Sequence, residues 1–276
     1  MLRKLAFAVA IVLGCAKAQA ETCSYKIEKV AYKNLVANLY LPQADRKLPA
    51  VMAFGGSEGG LSTGNSSGEM LAPHCIAVLA LAYFKEAGLP MTLDQIPLEY
   101  FIDALDYVSQ APGVDAARIG IVSGSRGSEA AFLVASMDAR IKSVVAATPS
   151  EVPWYGRTMP RSAWTYRGKD IPALSLDDDQ SLPLARRFEM ALDKVGEWSG
   201  YRIPVERING PIFLISARND EIWPSTRMSE DIVNYLNTKG FKFPVRHEAW
   251  PTGHGFSKEA APGIRQSVVE QFLRTL

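Results

Sequence analysis

Ser125 stands in Ser123-Gly124-Ser125-Arg126-Gly127, after the apolar run Ile119-Gly120-Ile121-Val122 and before Glu129-Ala130-Ala131-Phe132-Leu133-Val134-Ala135. A serine held on a sharp turn between a buried strand and a helix suits nucleophilic attack on a carbonyl. The turn is strained, so the residues two before and two after the serine must be small. The helix that follows aims its first N–H groups at the oxygen of an attacked carbonyl. Ser123 stands where such elbows usually carry glycine. By itself the pattern also fits an ordinary turn or helix cap.

A serine nucleophile needs a base, and the chain has three histidines. His247 lies in Phe243-Pro244-Val245-Arg246-His247-Glu248-Ala249-Trp250, which reads as a strand and makes it a packed or surface residue. His74 lies upstream, between Pro73 and Cys75. His254 is in the glycine-flanked loop Pro251-Thr252-Gly253-His254-Gly255-Phe256, between that strand and a terminal helix, where an imidazole projects over a sheet edge. Between serine and histidine, the apolar run Pro211-Ile212-Phe213-Leu214-Ile215-Ser216-Ala217 ends in Arg218-Asn219-Asp220. Asp220 is placed to orient the imidazole and stabilise its cation. A helix-capping carboxylate is its simpler role. The order Ser125, Asp220, His254 is that of the α/β-hydrolases.

One more component precedes them. The buried-strand pattern Leu48–Phe54 opens into Gly55-Gly56-Ser57-Glu58-Gly59-Gly60. Backbone amides in such a loop come close to an oxyanion because glycine has no side chain in the way. A phosphate loop would need a Lys-Ser/Thr pair, or dinucleotide glycine spacing, and has neither. Gly56 or Ser57 is the expected source of one oxyanion donor and the Arg126 amide of the other.

The elements that must position these residues alternate. An antiparallel opening pair is expected at 25–30 and 34–41. Further strands are expected at 49–54, 76–81, 118–123, 141–147, 211–216 and 244–249. Helices are expected near 97–110, 126–137, 225–239 and 262–275. This pattern predicts an α/β fold: a mainly parallel, doubly wound, eight-stranded sheet in one domain over 21–276. About residues 149–204 form an insertion after the sixth strand, too long for a simple connection. It carries Trp154, Tyr155, Trp164, Tyr166 and Trp198 and is expected to cap the site, with Trp164 facing the substrate. Packing of the insertion against the body would also account for these aromatics.

Arg3 and Lys4 precede the apolar run Leu5–Leu13, and Ala18-Gln19-Ala20 supplies a small-x-small site. A secretory leader over 1–20 is therefore expected, with a periplasmic or secreted product. The run is too short to span a membrane. Val12-Leu13-Gly14-Cys15 offers the alternative of a lipoprotein anchored at Cys15. Removing the leader takes away Arg3, Lys4 and Lys17 and no acid, turning a net charge of +1 into −2. No basic block marks a nucleic-acid partner. Cys23 and Cys75 are then the remaining cysteines, either paired or as two buried thiols. No cluster has metal-ligand spacing, Asp177-Asp178-Asp179 reads as a solvated loop, and no cofactor is expected.

The chain resembles the C-terminal catalytic domain shared by acyl-CoA thioesterases and bile acid-CoA:amino acid N-acyltransferases. The resemblance covers about 48–275. It rests on Gly55–Gly60, Ala80-Leu81-Ala82-Tyr83-Phe84 with Gly88-Leu89-Pro90, and Ile96-Pro97-Leu98-Glu99-Tyr100-Phe101. Trp164-Thr165-Tyr166-Arg167-Gly168-Lys169 and Asp220-Glu221-Ile222-Trp223-Pro224-Ser225 add to it. It implies an α/β-hydrolase fold, related to dienelactone hydrolases, with Ser125, Asp220 and His254 as the triad. It also implies hydrolysis more than amino-acid conjugation, since the nucleophile is serine and not cysteine. An exported enzyme rarely meets coenzyme A, so a small carboxylic ester or another thioester stands level with the family's usual acyl-CoA as the expected partner. Acyl transfer to an amine or alcohol, and a silent binding protein on the same fold, are the alternatives.

Overall fold

In the computed structural model, residues 22–194 and 200–276 are described. The expected leader over 1–20, Cys15, the expected cleavage site after Ala20 and Trp198 lie outside them. Eight strands form: β1 Tyr25–Lys29, β2 Val36–Pro42, β3 Leu48–Phe54, β4 Ala77–Ala82, β6 Val114–Gly124, β7 Ile141–Ala147, β10 Ile212–Ala217 and β11 Val245–Trp250. They make one sheet in the order β1-β2-β4-β3-β6-β7-β10-β11. β1 and β2 pair antiparallel, β2 joins β4 antiparallel, and β4 through β11 run parallel. β3 and β4 are buried at every position, as strands covered on both faces must be. Among the described residues, no helix is long and apolar enough to cross a membrane.

Helices cover both faces. α2 (Leu98–Gln110), α3 (Arg126–Met137) and α5 (Ser225–Thr238) contribute Phe101, Leu105, Phe132, Ile232 and Leu236 to one core. α1 (Ser62–Leu71) and α6 (Ala261–Thr275) contribute Leu71, Ile264, Val268 and Phe272 to the other. The sequence reading has no helix at α1, and the reason is physical. Its buried residues are Gly64, Gly68 and Leu71, so no apolar stripe exists to read. A Cβ on Gly68 would lie 2.5 Å from the Tyr40 ring, so the helix backbone lies directly on the sheet. Tertiary packing holds a helix that glycine disfavours.

The insertion after β7 builds its own elements. β8 (Trp164–Tyr166) pairs with β5 (Ile96–Pro97) of the body and with β9 (Lys169–Asp170). α4 (Leu184–Lys194), likewise absent from the sequence reading, buries Phe188, Ala191 and Leu192. With Val152, Trp154 and Leu174 they pack on Trp223 and Met228 of the body. Cys23 and Cys75 are bonded, tying the start of β1 to the residues before β4. Asp177 pairs with Lys194, and Asp179 accepts from Ser181, so the acidic run is a capped, paired loop.

One buried carboxyl at the start of the insertion bears on stability. Glu151 is almost fully buried, with Arg202 Nη2 at 3.2 Å. Burial, with Asp231 nearby, pushes its carboxyl from an ordinary 4.5 up to about 8. The folded state therefore keeps a proton that the unfolded chain releases near the ordinary value. Stability from this group is complete below that value and declines as pH rises through about 8. Burial of His247 acts in the other direction, by disfavouring its cation at low pH. Urea unfolding of wild type and Glu151→Gln isolates the glutamate. The wild-type midpoint should fall more steeply than the variant's between about pH 5 and pH 8. Parallel slopes would contradict this.

Candidate active site

The loops at the carboxyl ends of β3, β6, β10 and β11 converge on one edge of the sheet, where open α/β sheets carry their sites. Ser125 follows β6 with φ 51° and ψ −132°, a conformation that non-glycine residues rarely adopt. Its N–H donates to Ala147 O at 2.8 Å. Ser123 is accommodated because its hydroxyl turns into the sheet and donates to Phe54 O at 2.8 Å. The cost falls on the other flank. A Cβ on Gly127 would lie 2.1 Å from Ser123 Oγ and 2.2 Å from Gly55 O, so only glycine fits there.

Ser125 Oγ lies 2.9 Å from His254 Nε2. His254 Nδ1 lies 2.9 and 3.0 Å from the two Asp220 oxygens. The Asp220 side chain is 2 % exposed and that of His254 15 %, so the imidazole reaches solvent and the carboxylate does not. Asp220 also makes the capping contacts that the sequence allows it. Its Oδ1 accepts from the Ile222 and Trp223 amides at 3.0 and 3.2 Å, and its Oδ2 from Ser225 Oγ at 2.6 Å, which shapes the entry to α5. These bonds fix the carboxylate and leave it facing the imidazole. Glu221, which the residue-level reading does not single out, accepts the His254 N–H at 3.1 Å and anchors the histidine loop. His247 lies apart, against Ser216 Oγ at 2.8 Å. His74 lies in a separate depression with Arg118 and Phe272.

The Gly55–Gly60 loop sits against the elbow. A Cβ on Gly56 would be 2.8 Å from Ser125 Cβ and 2.9 Å from Gly124 O. Tyr83, buried beneath, donates to Gly55 O and Gly56 O at 3.0 and 3.1 Å. The Gly56 amide does not face the serine. It donates to Glu58 Oε2 at 3.0 Å, which leaves Ser57 as the residue of the pair on the site wall.

A cavity of about 600 Å³ opens beside Ser125. Ser57 and Arg126 line it, together with Trp154, Leu174, Phe188 and Trp223 from the insertion and the Asp220 loop. The insertion therefore covers the serine, as a cap would. Trp164, the expected substrate contact, is not on this wall. It is fully buried, against Tyr83 at 5.8 Å and Phe101 at 6.1 Å. Its indole N–H donates to Glu129 Oε2 at 2.7 Å. Spacing marks Trp164 as part of the insertion, but the direction of an indole is set by tertiary packing. Trp154 and Trp223 occupy the place foreseen for it. Among the described residues, no three His, Cys, Asp or Glu side chains gather to hold a metal.

The model of the family described as "BAAT / Acyl-CoA thioester hydrolase C terminal" matches residues 96–272. Acyl-coenzyme A thioesterase 6 of Mus musculus is 30% identical over 227 residues, 79% of this chain and 51% of that protein. Acyl-coenzyme A amino acid N-acyltransferase 2 of Mus musculus is 26% identical over 219 residues, 78% of this chain and 50% of that protein. The chain thus spans about half the length of the curated relatives it matches. Among solved structures, a putative dienelactone hydrolase from Klebsiella pneumoniae superposes with a TM-score of 0.64 at 15% identity. The match covers 91% of this chain and 99% of that one, and at this identity it speaks to the fold alone.

Proposed function

Because the chain belongs to the BAAT / acyl-CoA thioester hydrolase C-terminal family, we propose that it is a serine hydrolase cleaving small acyl esters or thioesters through an acyl-enzyme. The observation that carries this reading is the unbroken contact from Ser125 through His254 to Asp220 beside a cavity with an aromatic wall. Ser125 Oγ attacks the acyl carbon as His254 Nε2 takes the hydroxyl proton. The carbonyl becomes an oxyanion, held by the Ser57 and Arg126 amides. Collapse breaks the bond to the leaving oxygen or sulfur, which takes the proton from His254. Water then enters, gives a proton to His254 and attacks the acyl carbon. The acid leaves, and the proton returns to Ser125. Asp220 holds the imidazole in one tautomer and balances its charge. Gly56 contributes space for the nucleophile and no donor.

The acyl group lies in the cavity among Trp154, Leu174, Phe188 and Trp223, where each buried methylene contributes about 0.8 kcal/mol. Acetyl, butyryl and octanoyl esters, each paired with its coenzyme A thioester, test this. The expected result is a graded rise in kcat/KM with chain length and turnover of simple esters. No turnover of any member, or a strict requirement for the coenzyme A moiety, would contradict it.

The same reading has the protein exported after cleavage following Ala20. Arg3, Lys4, the apolar run and the small residues Ala18 and Ala20 support it, and the Cys23–Cys75 bond suits an oxidising compartment. Intact mass of the exported protein should place Glu21 at the N-terminus. A lipidated Cys15 would favour the anchored form, and a full-length cytosolic product would contradict both.

A further inference from the structure

Arg126 and Glu129 lie one turn apart at the start of α3, and both side chains are buried, at 8 % and 0 % exposure. Arg126 Nε donates to Glu129 Oε1 at 2.5 Å. The pair then grips one peptide unit after another in the cap. Arg126 Nη2 donates to Trp154 O and Tyr155 O, both at 3.0 Å. Glu129 Oε2 accepts the Trp154 N–H at 3.0 Å and the Trp164 indole N–H at 2.7 Å. Trp154 is thus held at its N–H by the carboxylate and at its carbonyl by the guanidinium. Both Trp154 and Tyr155 line the cavity beside Ser125.

Burying two charges is costly, and an apolar pair of similar volume often serves stability equally well. Stability is therefore a weak reason for the pair. What an apolar pair cannot do is bond a peptide N–H and a peptide carbonyl together. The consequence reaches the base. The Trp154 ring meets Phe188 edge-on at 4.6 Å, Phe188 meets Trp223 at 5.5 Å, and Trp223 meets the His254 ring at 5.8 Å. A shift of Trp154 moves the wall on which an acyl chain would lie.

We propose that the buried Arg126–Glu129 pair sets acyl selectivity by positioning the Trp154–Tyr155 wall of the cavity over the nucleophile helix. This rests on the reading of Ser125 and its cavity given above. Glu129 acts through Trp154, and the Arg126 side chain acts separately from its backbone amide.

Two variants test it. Glu129→Gln keeps the shape but turns one acceptor into a donor. An NH₂ then faces either the Arg126 N–H or the N–H groups of Trp154 and Trp164. The double variant Arg126→Met/Glu129→Leu removes both charges together and keeps the backbone amide. In each folded variant, the octanoyl-to-acetyl ratio of kcat/KM should fall at least about tenfold, chiefly through the KM of the octanoyl ester. Octanoate binding, read by tryptophan emission and independent of catalysis, should weaken by a similar factor. A selectivity ratio and octanoate affinity close to wild type in a folded variant would overturn the proposal. So would an equal loss on every ester with octanoate affinity unchanged, or the unfolding of both variants, which would make the pair structural. If the wild type shows no Ser125-dependent hydrolysis, the functional reading fails, and the octanoate titration still decides the positioning claim.

Discussion

Ser125→Ala should lose about 10⁴- to 10⁶-fold in kcat on any ester the wild type cleaves, the scale at which serine triads fail without their nucleophile. The variant should also fold. The hydroxyl's contact is His254 Nε2 at 2.9 Å, on the partly open side of the site. The backbone at φ 51° is held by Ser125 N–H on Ala147 O and by the close fit of Gly127 under Gly55. Alanine meets the same backbone strain as serine and adds no atom. Circular dichroism and a urea midpoint close to wild type would separate loss of chemistry from loss of fold. Residual turnover above a few per cent of wild type would assign the attack to another group.

Asp220→Asn should cost about 10⁴-fold in kcat while leaving the α5 entry intact. The amide oxygen keeps the Oδ1 place, where the Ile222 and Trp223 amides point. The NH₂ then takes the Oδ2 place, against the Ser225 hydroxyl and 3.0 Å from His254 Nδ1. A neutral amide no longer balances the imidazolium formed as Ser125 attacks, even though its oxygen stays 2.9 Å from Nδ1. Asp220→Ala would also remove the turn that shapes the Asp220 loop, so it is the poorer probe. Steady-state kinetics on a short ester reads the effect. A loss below about tenfold would mean that Asp220 shapes the loop and does little for the base.

How much of this could be read from residues alone depends on what kind of constraint each residue obeys. Ser125 was legible because an elbow demands small flanks and a strand–helix junction, which are local and leave a pattern in sequence. The meeting of Asp220 and His254 with Ser125 is legible from chain order and from their places after strand patterns. The central strands β3, β4 and β10 are legible because strands buried on both faces are continuous apolar runs. α1 was not, because its packing face is made of Gly64 and Gly68, whose use is close approach to Tyr40 and Ala80 and not hydrophobic burial. Trp164 was placed in the insertion but not in its direction, since the indole turns inward to a carboxylate 35 residues earlier in the chain. The Arg126 and Glu129 side chains were hidden for the same reason. Arg126 was marked for its amide, while its guanidinium reaches carbonyls of Trp154 and Tyr155 that no local pattern brings near. That the Gly56 N–H is taken up by the Glu58 carboxylate is a detail of loop conformation that sequence does not display.

The central claim is that Ser125 is the nucleophile activated by His254. The most direct test is labelling of wild type, Ser125→Ala and His254→Ala with a fluorophosphonate, followed by mass spectrometry of the modified peptide. The expected result is one phosphonyl group on Ser125 in the wild type, none in Ser125→Ala, and labelling slowed by orders of magnitude in His254→Ala. A label on Ser123 or Ser128, or undiminished labelling of Ser125→Ala, would contradict it.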